Sequence, residues 1–364
     1  RFKALVSAAS ICREKLERPE DAIEHYNDIL VFRPAESSIF RALEEILFDQ
    51  ESWEALIELY EHRIRYTEEL SEAVEIRFNM GEIFADFLEE TDRALESFCA
   101  ALGGDPTSDE TVQRLEKFLD KEEYAATSCE VLVPIYASRQ AWDNLIKVFS
   151  LQRDLLDMPE ERAPLTKRIA ELYETVKEDL DQAFVWYGRL LLERPQDKSI
   201  RDRLINLAEL LKQWETIAGV FAQIIEEAYG PDEHIIEITE RLARIYAKQL
   251  AKVDEALKCY KDILENERNR PGIFTELELL LLEHERWDDL LEVYREAAEA
   301  VFDPQQKNPY LFKITNVLEE RLEKLDDAVE VYKEILEGYE IPELSADVDK
   351  DLLKFIENIK YRYR

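Results

Sequence analysis

The sequence predicts an all-helical protein assembled from one repeated two-helix block, and three observations carry that expectation. Four tryptophans open segments of a single pattern: SWEALIELY at Trp53, AWDNLIKVF at Trp142, QWETIAGVF at Trp214 and RWDDLLEVY at Trp287. In each, the next apolar residues fall three, six and seven positions on, as one face of a helix requires. A second, alanine-led pattern alternates with it: AIEHYNDIL from Ala22, ALESFCAAL from Ala94, AFVWYGRLL from Ala183, ALKCYKDIL from Ala256 and AVEVYKEIL from Ala328. Finally, only 8 of 364 residues are Gly, and β-branched runs closed by Asn-Gly turns are absent, so hairpins have no sequence support.

The two patterns share one ruler. From Ala22 to Leu56, Ala183 to Ile217 and Ala256 to Leu290 the step is 34 residues. From Leu56 to Ala94, Leu145 to Ala183 and Leu290 to Ala328 it is 38, and from Ile217 to Ala256 it is 39. The longer blocks hold extended connections between their helices, seen as TEELSE, DMPEER, GPDEH and FDPQQKNP. In three of the alanine-led segments a proline follows twelve positions after the alanine, at Pro34, Pro106 and Pro195, where its missing donor stops the helix.

Before the alanine-led helices lie further amphipathic helices. RFNMGEIFADFLEE carries Met80, Gly81 and Phe84; RIAELYETV carries Ile169, Ala170 and Tyr173; RLARIYAKQL carries Leu242, Ala243 and Tyr246. A small residue between an apolar one and an aromatic lets a neighbouring helix approach to the ~8–10 Å axis distance of packed helices. A large apolar residue, Gly or Ala, then an aromatic, followed by Ala, aromatic, apolar and Pro over about 34 residues, resembles the tetratricopeptide repeat. The resemblance covers about residues 5 to 340. It implies a right-handed α-solenoid of stacked antiparallel helix pairs, with a concave surface lined by the first helix of each pair. The chain departs from the family where a small residue is usual: Ala101 keeps it, but Ile29, Leu190, Ile263 and Ile335 do not. Leu56, Leu145, Ile217 and Leu290 likewise stand where the family prefers Ala.

In this frame each of the four tryptophans sits in the first turn of a second helix and lids a tight helix hairpin, a structural place and not an aromatic ligand box. Trp186 lies outside the series and is the tryptophan expected at the surface.

The ruler slips once. Between Ala94 and Leu145 the step is 51 residues, 17 more than a block, and the surplus is placed in residues 121–142. A long helix is expected over 122–138, with Pro134 kinking it or ending its first half. The expected organisation is therefore N-terminal repeats over 1–120, an extra helix or break over 121–141, C-terminal repeats over 142–344 and a capping helix over 345–364. The basic KYRYR at the end is read with that cap or as a cut end, ahead of a docking tail. An opening without Met points to a fragment or a processed product.

Composition bounds function. Lys and Arg number 47 against 82 Asp and Glu, a formal charge of −35 that repels a phosphate backbone and argues against a nucleic-acid partner. No apolar run approaches the ~18 residues of a membrane span. Cys12, Cys99, Cys129 and Cys259 are far apart with no CxxC spacing, which favours reduced thiols. With no secretory signal in view, they favour a cytoplasmic setting over an extracellular one. No GxGxxG, Walker loop, HExxH or GxSxG motif occurs, and His25, His62, His234 and His284 are too scattered for a local metal pair. No enzyme activity, cofactor or metal is expected.

What remains is a scaffold for protein–protein contacts, or an architectural spacer within a larger assembly. Helical spacing places Asn79, Lys167, Arg168, Arg241, Arg244, Lys248, Lys313 and Asn316 on the inner face. Basic groups gathered there would suit an acidic peptide or a C-terminal carboxylate. Some tetratricopeptide proteins hold a carboxylate with Lys and Asn on these helices. Asn79, Arg168 and Arg241 fall at similar places, although the full set is not matched. Two competing outcomes are that these cations pair with neighbouring Glu82, Glu171 and Glu240, and that a basic protein surface binds the acidic exterior.

Overall fold

The computed structural model describes residues 1–268 and 270–337. Over these the chain is all α, with nineteen α-helices and no strand among the described residues. It divides into two compact units, the first over residues 1–204 and the second from residue 205 onward. The expected cap over 345–364 and the KYRYR end lie outside the described residues.

The first unit opens with α1 (Phe2–Glu14), α2 (Pro19–Phe32), α3 (Ser37–Asp49), α4 (Trp53–Tyr66), α5 (Leu70–Asp86) and α6 (Thr91–Gly104). It continues with α7 (Asp109–Glu116), α8 (Glu122–Ser138), α9 (Trp142–Asp154), α10 (Pro159–Thr175) and α11 (Leu180–Glu193). The boundary between the units falls within α12 (Lys198–Leu211). The second unit holds α13 (Trp214–Glu227), α14 (Glu233–Lys248), α15 (Val253–Asn266) and α16 (Ile273–Glu283). It ends with α17 (Trp287–Glu299), α18 (Pro304–Glu320) and α19 (Leu325–Glu337).

In each unit the helices form a run of packed pairs. α1 packs on α2, α3 on α4, α5 on α6 and α10 on α11; in the second unit α14 packs on α15 and α18 on α19. The anchors of the ruler explain the pairing. Ala22, Ala94, Ala183, Ala256 and Ala328, together with Leu56, Leu145, Ile217 and Leu290, are all buried. Truncating one of the large anchors would cost roughly 2–5 kcal/mol. Gly81 shows why small residues recur on the first helices. A Cβ added there would come within 2.6 Å of the Phe98 ring, so α5 and α6 meet closely only without one.

The hairpins between paired helices share a backbone device. Among the described residues, nine that are not glycine have positive φ: Glu17, Glu51, Glu89, Gln140, Glu178, Lys212, Ala251, Glu285 and Glu323. Each stands five positions before an anchor, so a left-handed residue ends every first helix and turns the chain into the second. The four tryptophans begin α4, α9, α13 and α17 and are each half-buried over these joints. Trp186 corrects the sequence expectation. It is 8% exposed, and Arg189 lies 4.4 Å over its ring. Its place on the second helix of its pair turns it into the core, not out to solvent.

Where the ruler slips, α8 covers the expected span and continues through Pro134. Ahead of it the chain inserts the short α7, capped by the Ser108 side chain accepting from the Thr111 amide, and a 3-10 turn at Lys117–Asp120. Val112, Leu115, Phe118 and Leu119 bury that insertion against the stack, and α8 packs on both α9 and the 3-10 turn. Residues 121–141 therefore lie inside the first unit.

Two arginines, one buried and one largely so, tie successive pairs. Arg63, 6% exposed, donates from Nε and Nη2 to Glu72 at 2.8 and 3.0 Å, from Nη1 to the Ala35 carbonyl at 2.8 Å and from Nη2 to Ser37 at 2.8 Å. It joins α4 to α5 and to the turn that starts α3. Burial alone would raise the Glu72 pKa, but the bonds from Thr67 and Arg63 outweigh it and hold it below its ordinary value. Arg153 plays a similar part between α9 and α11. It donates to Glu193 at 2.7 Å and to Thr166 at 3.0 Å.

Candidate functional site

A groove of about 690 Å³ lies in the first unit, lined by residues of α1, α3, α4 and α5. Its floor is Tyr60 from α4 and Ile83 from α5. The last two turns of α3 contribute Glu44, Glu45, Phe48 and Asp49, which lie beside the buried Leu43, Ile46 and Leu47 around the helix. The last turns of α5 contribute Asn79, Glu82, Asp86 and the adjoining Phe87. Arg13, at the end of α1, completes the lining.

Hydrogen bonding fixes the floor. The Tyr60 hydroxyl donates to Glu44 at 2.8 Å, and its ring lies 6.0 Å from that of Phe40. Burial, with the Glu44 bond adding to it, pushes the Tyr60 pKa far up, while a bond with the Asn79 side chain opposes that shift. Asn79 is thus held at the groove floor by a buried phenol.

The walls combine aromatic rings with carboxylates. Phe48 meets Trp53 edge-on at 5.4 Å, and Trp53 stacks on Phe87 at 4.0 Å. Phe48 is 55% exposed and Phe87 51%, so this shelf stays half in water. Arg13 pairs with Glu45 at 2.8 Å, and Arg114 of α7 pairs with Asp86 at 2.9 Å and with Glu82. Neither Glu44 nor Asp49 has a cationic partner among the described residues. The groove is therefore acidic with a ring shelf, and of the eight residues placed on the inner face by sequence, Asn79 alone lines it.

The other seven lie elsewhere. In α10, Lys167 and Arg168 are exposed; Lys167 faces Glu171 at 3.8 Å, and Arg168 lies 5.7 Å over the Phe149 ring. In α14, Arg244 is bound by Glu240 at 2.5 Å and by Glu276 of α16 at 2.9 Å. Lys248 is exposed and acts on the same Glu276. Burial opposes ionisation of Glu276, but Arg244, Tyr260 and Lys248 together hold its pKa below the ordinary value. Arg241 is exposed and partnered. In α18, Lys313 bonds Glu278 of α16 at 2.6 Å and lies over the Phe274 and Tyr294 rings, and Asn316 is exposed. The structure thus brings Arg244, Lys248 and Lys313 to one helix, α16, through Glu276 and Glu278.

Sequence reasoning missed Glu44, Glu45, Phe48, Asp49, Asp86 and Phe87. A signal for one of them exists. The position 31 residues after the Trp-helix anchor is Phe87, Val176 and Arg321 in blocks of equal length, aromatic in the first alone.

The four cysteines are free thiols. Burial pushes Cys129 and Cys259 up to about 11, which leaves them protonated and unreactive near neutral pH. Among the described residues, no three His, Cys, Asp or Glu side chains gather as a metal ion would need, and no helix is long and apolar enough to cross a membrane.

No protein-family sequence model and no curated protein matches this chain. Among solved structures, one similar chain belongs to a structure of Naa15/Naa10 bound to HypK-THB, at 12% identity and a TM-score of 0.25. The match covers 92% of this chain and 58% of that one, so the chain spans a little over half of that relative's length. Another is the crystal structure of the P58(IPK) TPR domain, at 14% identity and a TM-score of 0.22, covering 87% of this chain and 99% of that one.

Proposed function

We propose that this chain is a non-catalytic scaffold that holds a protein or peptide partner in a groove lined by the first helices of its pairs. The carrying observation is the α1–α3–α5 groove, where Phe48 and Phe87 leave about half their surface in water beside the stacked Trp53. Paired exposed rings in a polar-rimmed concavity are a recurrent feature of protein-binding surfaces. Asn79, beside Tyr60 in the groove, would touch the partner.

The second unit suits a spacer role better. Arg244 and Lys313 are there bound to Glu276 and Glu278, and those bonds cross-brace α14, α16 and α18. The first unit would then bind while the second sets spacing.

Photo-crosslinking tests the assignment. Benzoylphenylalanine replacing Phe87 should capture a partner in extracts from the source cells, and the same group replacing the 85% exposed Val31 should not. Equal capture from both positions would count against the groove.

A further inference from the structure

We infer that the groove of the first unit takes a basic peptide segment carrying an aromatic or aliphatic anchor, the reverse in charge of the acidic peptide that the inner-face cations suggested. This rests on the scaffold role proposed above and names the partner's chemistry.

Charge is the first argument. Five carboxylates line the groove, from Glu44, Glu45, Asp49, Glu82 and Asp86, against the single guanidinium of Arg13. Arg13 is already bound to Glu45, and the neighbouring Arg114 to Glu82 and Asp86. An incoming carboxylate would have to displace one of these and face the rest, whereas an incoming Lys or Arg meets acceptors with no cation of their own in Glu44 and Asp49.

The ring shelf is a second argument, independent of charge, and the molecule supplies its own precedent. Leu56 and Leu290 stand 234 residues apart, and every shelf residue has a counterpart at that distance. Trp53 corresponds to Trp287, Phe48 to Leu282 and Phe87 to Arg321. In the second unit Arg321 lies 5.1 Å over the Trp287 ring, so that joint carries its own cation. In the first unit the position is taken by Phe87, which extends the rings and supplies no charge. Phe87 itself stacks on Trp53 where Arg321 lies over Trp287 in the other unit, so a guanidinium or ammonium from a partner can lie over the half-exposed Phe87 ring, while an apolar side chain beside it covers Phe48.

Selection from a random displayed peptide library on the full chain tests this. Enriched peptides should be net basic with an aromatic or aliphatic residue, and should weaken at higher salt. Phe87→Arg, which supplies the cation internally, and Asp49→Lys, a change at an exposed side chain, should each weaken them by about tenfold. Phe48→Ser should do the same, and circular dichroism should show all three variants folded. Enrichment of acidic peptides that the same variants abolish would overturn the basic partner and leave the groove as a binding site. Peptides indifferent to all three variants, or no enrichment, would remove both.

Discussion

The joints at Trp53 and Trp287 occupy the same place in the repeat and present different chemistry. Phe40 and Tyr60 lie 6.0 Å apart at 43° in one; Phe274 and Tyr294 lie 6.3 Å apart at 39° in the other. Tyr60 donates to Glu44 at 2.8 Å, and Tyr294 to Glu278 at 2.5 Å. The skeleton is therefore common. Several side chains differ, and two of them change the charge against the shared skeleton: Asn79 against Lys313, and Phe87 against Arg321. In the second unit Lys313 neutralises Glu278 at 2.6 Å and Arg321 covers Trp287. In the first, the Glu44 carboxylate is met by the Tyr60 phenol, and Trp53 by the rings of Phe48 and Phe87. One repeat position can thus serve as an internal brace or as an unsaturated surface, depending on where the cation comes from.

Removing the phenol from each joint should separate them most. Tyr60→Phe leaves Glu44 without its donor and Asn79 without its hydroxyl partner, and should cost about 1–3 kcal/mol. Tyr294→Phe leaves Glu278 still bound to Lys313 and should cost less than about half of that. Amide hydrogen exchange over α3–α4 and over α16–α17 reads each loss where it arises. Equal losses would mean that Lys313 does not stand in for the phenol, and the contrast between the joints would fall.

Acid should act through the braced side. Glu276 is held below its ordinary pKa of 4.5 in the folded chain, so the unfolded chain binds the proton more readily. The stability it contributes is fully present above about pH 4.5 and is lost as pH falls through the lower folded value. Exchange protection in α14 and α16 should therefore decline on acidification below that point, and Glu276→Gln should be weaker at neutral pH and flatter with pH. A variant with an unchanged acid profile would show that Arg244 and Tyr260 do not hold the carboxylate ionised.

Much of this architecture is legible in the sequence because anchors repeat. Ala22, Leu56 and their successors mark the core directly, and the Trp helices start at the tryptophans themselves. The character of the site is less legible because it depends on neighbours. Arg244 and Lys313 sit at inner positions as helical spacing requires, but whether they are available depends on Glu276 and Glu278 of a helix some thirty residues away. Trp186 is illegible for a related reason: its burial depends on the packing of its helix, and the break in the tryptophan spacing says nothing of that. The insertion of α7 and the 3-10 turn was hidden because DETVQRLEKFLD has the apolar spacing of one continuous first helix, and only the 51-residue step betrays extra length.

The smallest effect concerns what the two joints share. Glu51 and Glu285, 234 residues apart, both hold left-handed backbone, at φ 53° and 54°. For a residue with a Cβ that conformation costs roughly 1 kcal/mol, and Gly would relieve it. Gly also loses more freedom on folding, by roughly 0.5–1 kcal/mol, so the two terms nearly cancel. Glu51→Gly and Glu285→Gly should each move stability by less than about 0.5 kcal/mol in urea unfolding, and by the same amount as each other. Val at either place meets the strain without relief and should cost more. This balance explains how nine such turns persist without a glycine among them: anchors five residues on, and a half-buried tryptophan at four of the joints, hold the turn where residue choice does not. A gain of well over 1 kcal/mol from Gly at Glu51 but not at Glu285 would show that the first joint stores strain the second lacks, and the skeleton common to both would have to be redrawn.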